Sequence, residues 1–121
     1  MDDACNGALY LANTTKQVDP DSLAIHGGSA GGYTTLAVLT FRDVFKAGAS
    51  HCGIGDIEAL AHDTHKFQSH YIDTLIAPYP EGKELYKARS PIHFVERLQF
   101  APWLYFMVMK IRYCSFVINI L

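Results

Sequence analysis

Cysteine is scarce in this chain: Cys5, Cys52 and Cys114 are the only three, and no two form a Cys-x-x-Cys pair. An odd, scattered set excludes a disulfide framework and suits a reducing compartment, so a cytoplasmic location is expected. Charge is scarce too, at 18% of residues with a formal net charge of -2, which excludes a basic field for nucleic acid. No Gly-Lys-Ser/Thr ending and no Gly-x-Gly-x-x-Gly followed by an acidic residue occurs, so a phosphate cradle is excluded and no cofactor is expected. The amino end, Met1-Asp2-Asp3, lacks the basic region and apolar core of a signal peptide. There is no internal repeat and no low-complexity linker. One long apolar run exists, from Phe100 onward, but Lys110 and Arg112 sit inside it. Each would cost about 2.5–3.5 kcal/mol at a bilayer centre, so no membrane anchor is expected.

What is present centres on Gly27-Gly28-Ser29-Ala30-Gly31-Gly32. Leu23-Ala24-Ile25-His26 before it is a short apolar run of strand type, and Tyr33 to Phe41 after it can continue as a helix. A strand, a Gly-x-Ser-x-Gly turn and a helix together make a nucleophile elbow. A serine on so sharp a turn projects its hydroxyl above the sheet, and the residues two before and two after it nearly collide. Gly27 and Gly31 fill those positions, where a side chain would be hard to fit. The following helix aims its amino end at Ser29, so the Ala30 N–H can stabilise an oxyanion.

The segment from Asp2 to about Leu98 resembles the catalytic domain of the prolyl oligopeptidase family of serine peptidases. Within that family it is most similar to acylaminoacyl-peptidase and dipeptidyl-aminopeptidase-like members. The resemblance is carried by Asp2-Asp3-Ala4-Cys5, Val18-Asp19-Pro20-Asp21, Ile25 to Leu36, Phe41 to Ser50, Asp63-Thr64-His65-Lys66-Phe67 and Ser90-Pro91-Ile92-His93-Phe94, in that order. It implies an α/β fold, specifically a partial α/β-hydrolase with a parallel sheet, truncated at both ends. It also implies Ser29 as nucleophile and a peptide substrate. The elbow alone fits an esterase or lipase-like hydrolase equally well, and a non-catalytic truncated gene product is the alternative from outside the enzymes.

Along the chain, Ala4, Ala8, Leu11 and Ala12 recur at helical spacing, which predicts a helix over Asp3–Asn13. Val18-Asp19-Pro20-Asp21 is a turn. Phe45 to His51 reads as a second strand, parallel to the first because a helix separates them. Asp56 to Leu75 returns to a helical pattern with Asp56 as cap, residues 77–82 form a loop, and Lys83–Ala88 is a short helix ended by Ser90-Pro91. Residues 1–99 are therefore expected to form a partial α/β-hydrolase domain, in which Tyr33 and Phe41 line the core. Phe67, Tyr71 and Tyr79 fit either core or lid.

Residues 100–121 read differently. Taken from the third base of the Phe100 codon, the shifted codons can encode Cys and then Pro. The junction of Met107 and Val108 must encode Gly, and that of Met109 and Lys110 must encode Glu. Permitted choices elsewhere give Cys-Pro-Leu-Val-Ile-Phe-His-Gly-Asp-Glu-Asp-Lys-Ile, the buried strand and acidic turn that the resemblance implies after Gln99. The tail is thus expected to be out-of-frame translation, from a sequencing error, a missed splice or a pseudogene.

A serine needs a histidine base and an acid to orient it, and in this fold they follow in the order Ser, Asp/Glu, His. The acid appears only in the shifted frame, and the histidine segment is expected beyond Leu121. His26 is expected to pack or hydrogen-bond beside the elbow, His51 to approach the site edge, and His93 to be structural. His62, His65 and His70 suggest a metal, but only His62 and His65 have helical spacing and no carboxylate-plus-histidine motif accompanies them, so no metal is expected. Asp56 and Asp63 read as helix caps or first-turn charges.

Overall fold

The computed structural model describes residues 1–63, 71–98 and 103–107. Helix α1 spans Asp2–Leu9 and runs into a wider π turn at Tyr10–Thr14. Cys5 and Ala12 are buried along it, while Leu11, one residue step around from Ala12, is exposed. The small-residue stripe expected here therefore runs through Cys5 and Ala12, without Leu11. Pro20 then starts a short 3-10 turn at Pro20–Ser22, where Asp19 accepts the Asp21 N–H at 3.0 Å and the Ser22 hydroxyl at 2.7 Å. Those two bonds hold the Asp19 carboxyl below its ordinary value, the Ser22 bond contributing more.

Strand β1 is Ala24–Gly28, helix α2 is Ala30–Phe41 and strand β2 is Ala47–His51. β1 and β2 are parallel, with Ile25 opposite Gly48 and Gly27 opposite Ser50. Leu36, Ala37, Val38 and Leu39 of α2 are buried. Each large apolar side chain so covered contributes about 1.5–3 kcal/mol. Thr35 and Thr40 are buried with them because each hydroxyl bonds the carbonyl four residues back, Gly31 at 3.0 Å and Leu36 at 2.8 Å. Glycine at position 48 lets the helix lie close to β2, since a Cβ there would run into Leu39. On the opposite face of β1, Ala24, His26 and Gly28 are exposed.

Beyond β2 come α3 (Ile57–Asp63), α4 (Tyr71–Leu75) and α5 (Lys83–Arg89). Asp56 caps α3 by accepting the Ala59 N–H at 3.1 Å. Ile57, Ile72 and Tyr86 form a second buried cluster, with Tyr33, Ile54 and Tyr79 packed against it. Ser90 ties it together: fully buried, its hydroxyl donates to the Tyr86 carbonyl at 2.8 Å and accepts the Ile57 N–H at 2.9 Å. A 3-10 turn at Pro91–Phe94 leads into α6, Val95–Leu98, and Phe94 meets the Phe41 ring edge-on at 5.2 Å. A third strand, β3 at Trp103–Met107, pairs parallel with β2, giving the order β1-β2-β3. No strand was expected at 103–107 in the reading frame given. No described helix is long and apolar enough to cross a membrane.

Candidate functional site

Ser29 stands between the last residue of β1 and the first of α2 with φ 54° and ψ −117°. Positive φ is rare for a residue with a side chain and costs on the order of 1–3 kcal/mol, so the surroundings must enforce it. Three contacts do. The Ser29 N–H donates to the His51 carbonyl at 2.9 Å, tying the turn to the end of β2. The Ser29 carbonyl accepts the Tyr33 N–H at 3.0 Å, which starts α2 immediately. The Ser50 hydroxyl, itself buried, donates to the Gly32 carbonyl at 3.1 Å and fixes the helix's first turn. Ser29 and Ala30 remain exposed, and the Ala30 N–H is the first of α2. That N–H has no acceptor within the helix, and the α2 dipole adds to its positive end.

The glycines divide unequally. A Cβ at Gly27 would run into the Gly31 carbonyl group and lie 3.0 Å from its Cα, whereas a Cβ at Gly31 would meet nothing within 4 Å. The expectation that both positions are sterically barred thus holds only for Gly27, because a Cβ on Gly31, in the first turn of α2, would lie in open space. Close packing falls instead on Gly32, where a Cβ would sit 2.7 Å from the Gly53 Cα and 3.0 Å from the His51 carbonyl oxygen. Sequence reasoning named Gly32 within the motif and Ser50 within the second strand but gave neither a packing role, and it passed over Gly53. The signal for a close approach was the run of small residues Ala47-Gly48-Ala49-Ser50.

The histidines are dispersed. His26 is exposed on the face of β1 away from α2, where its neighbours are the small residues Ala24 and Gly28. The expected packing against the elbow is therefore not found. His51 reaches the elbow through its main-chain carbonyl. His93 is exposed in the 3-10 turn. His62 is 3.1 Å from the Tyr79 hydroxyl, which donates to Glu58 at 2.9 Å. Lys83 pairs with the same Glu58 oxygen at 3.2 Å. The Tyr79 hydrogen bond, with Lys83 beside it, holds the Glu58 carboxyl below its ordinary range, and Glu58 in turn raises the Tyr79 phenol. Tyr79 is thereby part of the second core's rim. His65, His70, Phe67 and the Tyr71 side chain lie outside the described residues, and among those described no cluster of three or more His, Cys, Asp or Glu could hold a metal. Tyr33 lines the core as expected and donates to the Arg89 carbonyl at 3.0 Å.

The sequence profile of the Prolyl oligopeptidase family matches residues 1–110. A puromycin-hydrolyzing peptidase from Mycobacterium tuberculosis is similar at 41% identity and a TM-score of 0.80, over 88% of this chain and 16% of that one. A puromycin hydrolase is similar at 33% identity and a TM-score of 0.77, over 88% of this chain and 15% of that one. The acylaminoacyl peptidase of Pyrococcus horikoshii shares the fold, with a TM-score of 0.68 at 23% identity over 89% of this chain and 22% of that one. The chain therefore spans less than a quarter of the length of these structures. A search of curated sequences returned no match.

Proposed function

Because this chain belongs to the prolyl oligopeptidase family, we propose that it carries the nucleophilic centre of a serine peptidase that works through an acyl-enzyme on Ser29. The observation that supports this most is Ser29 itself, held at φ 54° on a strand-to-helix turn by restraints from β2 and α2. The Ser29 Oγ attacks the scissile carbonyl carbon and its proton passes to a histidine. The oxyanion accepts the Ala30 N–H, and the amine leaves with the proton returned by the histidine. Water then hydrolyses the ester by the same relay. The α2 terminus, the elbow and the Ala30 N–H are this chain's contribution, and the substrate class is peptide. Gly27 keeps the turn tight enough to expose the hydroxyl. The cysteine pattern supports a reducing, cytoplasmic setting.

By itself the 121-residue chain is proposed to be hydrolytically silent. Among the described residues no histidine ring is hydrogen-bonded to the Ser29 hydroxyl: His51 meets Ser29 through its main-chain carbonyl, His62 is engaged with Tyr79, and His26 and His93 are exposed elsewhere. Without a base the serine stays protonated at neutral pH. Fluorophosphonate labelling tests this. The expected rate is about 10⁶-fold below that of an intact family peptidase, the loss that removing the triad histidine produces. Rapid stoichiometric labelling, abolished by Ser29→Ala, would show that a histidine within the chain serves as base.

A further inference from the structure

Ser29 is gripped at both of its main-chain sides. Its N–H donates to the His51 carbonyl at 2.9 Å, and its carbonyl accepts the Tyr33 N–H at 3.0 Å. With the nitrogen and the carbonyl carbon of a tetrahedral Cα both held, the direction of Cβ is set, and only χ1 is left to aim the hydroxyl. The first grip is anchored in β2. The second would be loose by itself, because the first turn of α2 holds Gly31 and Gly32, the weakest helix formers after proline. The Tyr33 side chain supplies what those glycines lack. Its ring packs against the cluster of Ile57, Ile72 and Tyr86, and its hydroxyl donates to the Arg89 carbonyl at 3.0 Å. Arg89 is the last residue of α5, so that carbonyl has no partner within the helix. Burial raises the Tyr33 phenol above its ordinary value, more than Arg89 lowers it, so the hydroxyl stays a donor at neutral pH.

The anchor at Arg89 is itself tied to the end of β2. Ser90, next along the chain, accepts the Ile57 N–H at 2.9 Å, and the Ile92 N–H donates to the Gly55 carbonyl at 3.1 Å. Gly55 and Ile57 are both buried and follow closely on His51. The contacts thus form a closed circuit. It runs from Ser29 to His51, along the chain to Gly55 and Ile57, across to Ser90 and Arg89, and back through Tyr33 to Ser29. We propose that Tyr33 is a positioning residue for Ser29, the link through which the packed helices α3, α4 and α5 hold the serine in its left-handed conformation. This rests on the peptidase reading above only in calling the positioned hydroxyl a nucleophile. With the circuit open, Ser29 is held firmly from β2 alone, and its positive φ can relax by a turn of its carbonyl.

Amide hydrogen exchange, followed by NMR on the 121-residue chain, tests this. Tyr33→Phe keeps the ring and removes the hydroxyl. Ser90→Ala opens the circuit at a residue far from Ser29 in sequence. Thr40→Ala removes a buried hydroxyl bonded within α2 and lies off the circuit. Either circuit variant should speed exchange of the Ser29 and Tyr33 amides by about 3- to 10-fold relative to the Leu39 amide of the same helix, the worth of one hydrogen bond. Thr40→Ala should leave that ratio unchanged. Tyr33→Phe combined with Ser90→Ala should raise the ratio no further than the larger single change, because a circuit opens only once, whereas independent structural losses would add. The strong cross-peak between amide and α-proton that positive φ gives Ser29 should weaken in the same variants. An unchanged ratio in Tyr33→Phe, an equal rise in Thr40→Ala, or additive effects in the pair would overturn the proposal. The peptidase reading fails by a different measurement. If the fluorophosphonate adduct that accumulates on long incubation survives Ser29→Ala, that reading falls, while the exchange pattern still supports the positioning of Ser29 by Tyr33.

Discussion

Alanine at position 27 should destabilise the chain while alanine at position 31 should not, although the two glycines flank Ser29 symmetrically in sequence. At Gly27 the new methyl meets the carbonyl carbon and oxygen of Gly31, with the Gly31 Cα at 3.0 Å. All three are backbone atoms, so no side chain can swing aside. Relief requires opening the turn, which stretches the 2.9 Å bond from the Ser29 N–H to the His51 carbonyl. Overpacking of this kind costs about 1–3 kcal/mol, and a rigid backbone neighbour places it near the upper end. At Gly31 the methyl meets nothing within 4 Å, and the position lies in the first turn of α2. Alanine is the better helix former there by up to about 1 kcal/mol. The two variants should therefore differ by about 3 kcal/mol. Urea titration followed by Trp103, the chain's only tryptophan and a residue of β3, reads the difference. With a slope of about 1–3 kcal/mol per molar urea, the midpoints should separate by 1 M or more. Equal midpoints for Gly27→Ala and Gly31→Ala would refute the assignment of the crowding to Gly27.

Other outcomes follow from the same contacts. Ser90→Ala should cost about 1–3 kcal/mol in the same titration, because it strips the Ile57 N–H of its acceptor in a buried place. Tyr79→Phe should raise the Glu58 pKa toward its ordinary range, measured by carboxyl-carbon NMR. A depressed carboxylate stabilises above its unfolded pKa of about 4.3 and loses that contribution as pH falls through the folded value, so the variant and the parent should converge in acid. The exposed Ala24, His26 and Gly28 face of β1 should make the chain self-associate as concentration rises, and sedimentation velocity showing a monomer at every concentration would contradict this.

The elbow was legible because its conformation leaves a local signature: glycine where the chain crowds, strand pattern before it and helix pattern after it. Asp56 was legible for a similar reason, since a cap and its helix are neighbours in sequence. Gly31 misled because the motif is symmetric on paper whereas Cα–Cβ vectors are not. Ser50 escaped because its bond to Gly32 joins residues on different elements, which periodicity does not record. β3 escaped because its pairing with β2 is likewise long-range and its residues sit in a run that reads as unstructured translation. Ser90 looked like a helix terminus before a proline, and only the packed helices reveal that its hydroxyl joins Tyr86 to Ile57.

The tether from Ser29 to His51 also orders events in time. Each restraint that bends the nucleophile into place comes from residues 27–53: the Gly31 contact, the Tyr33 and Ser50 bonds, the His51 carbonyl and the room left at Gly53. Short sequence separation makes such a unit quick to close. On a ribosome that adds about 5–20 residues per second, the turn can therefore take shape seconds before any acid or histidine further along the chain has been synthesised. The strained serine is thus a template set before the residues that follow it are made.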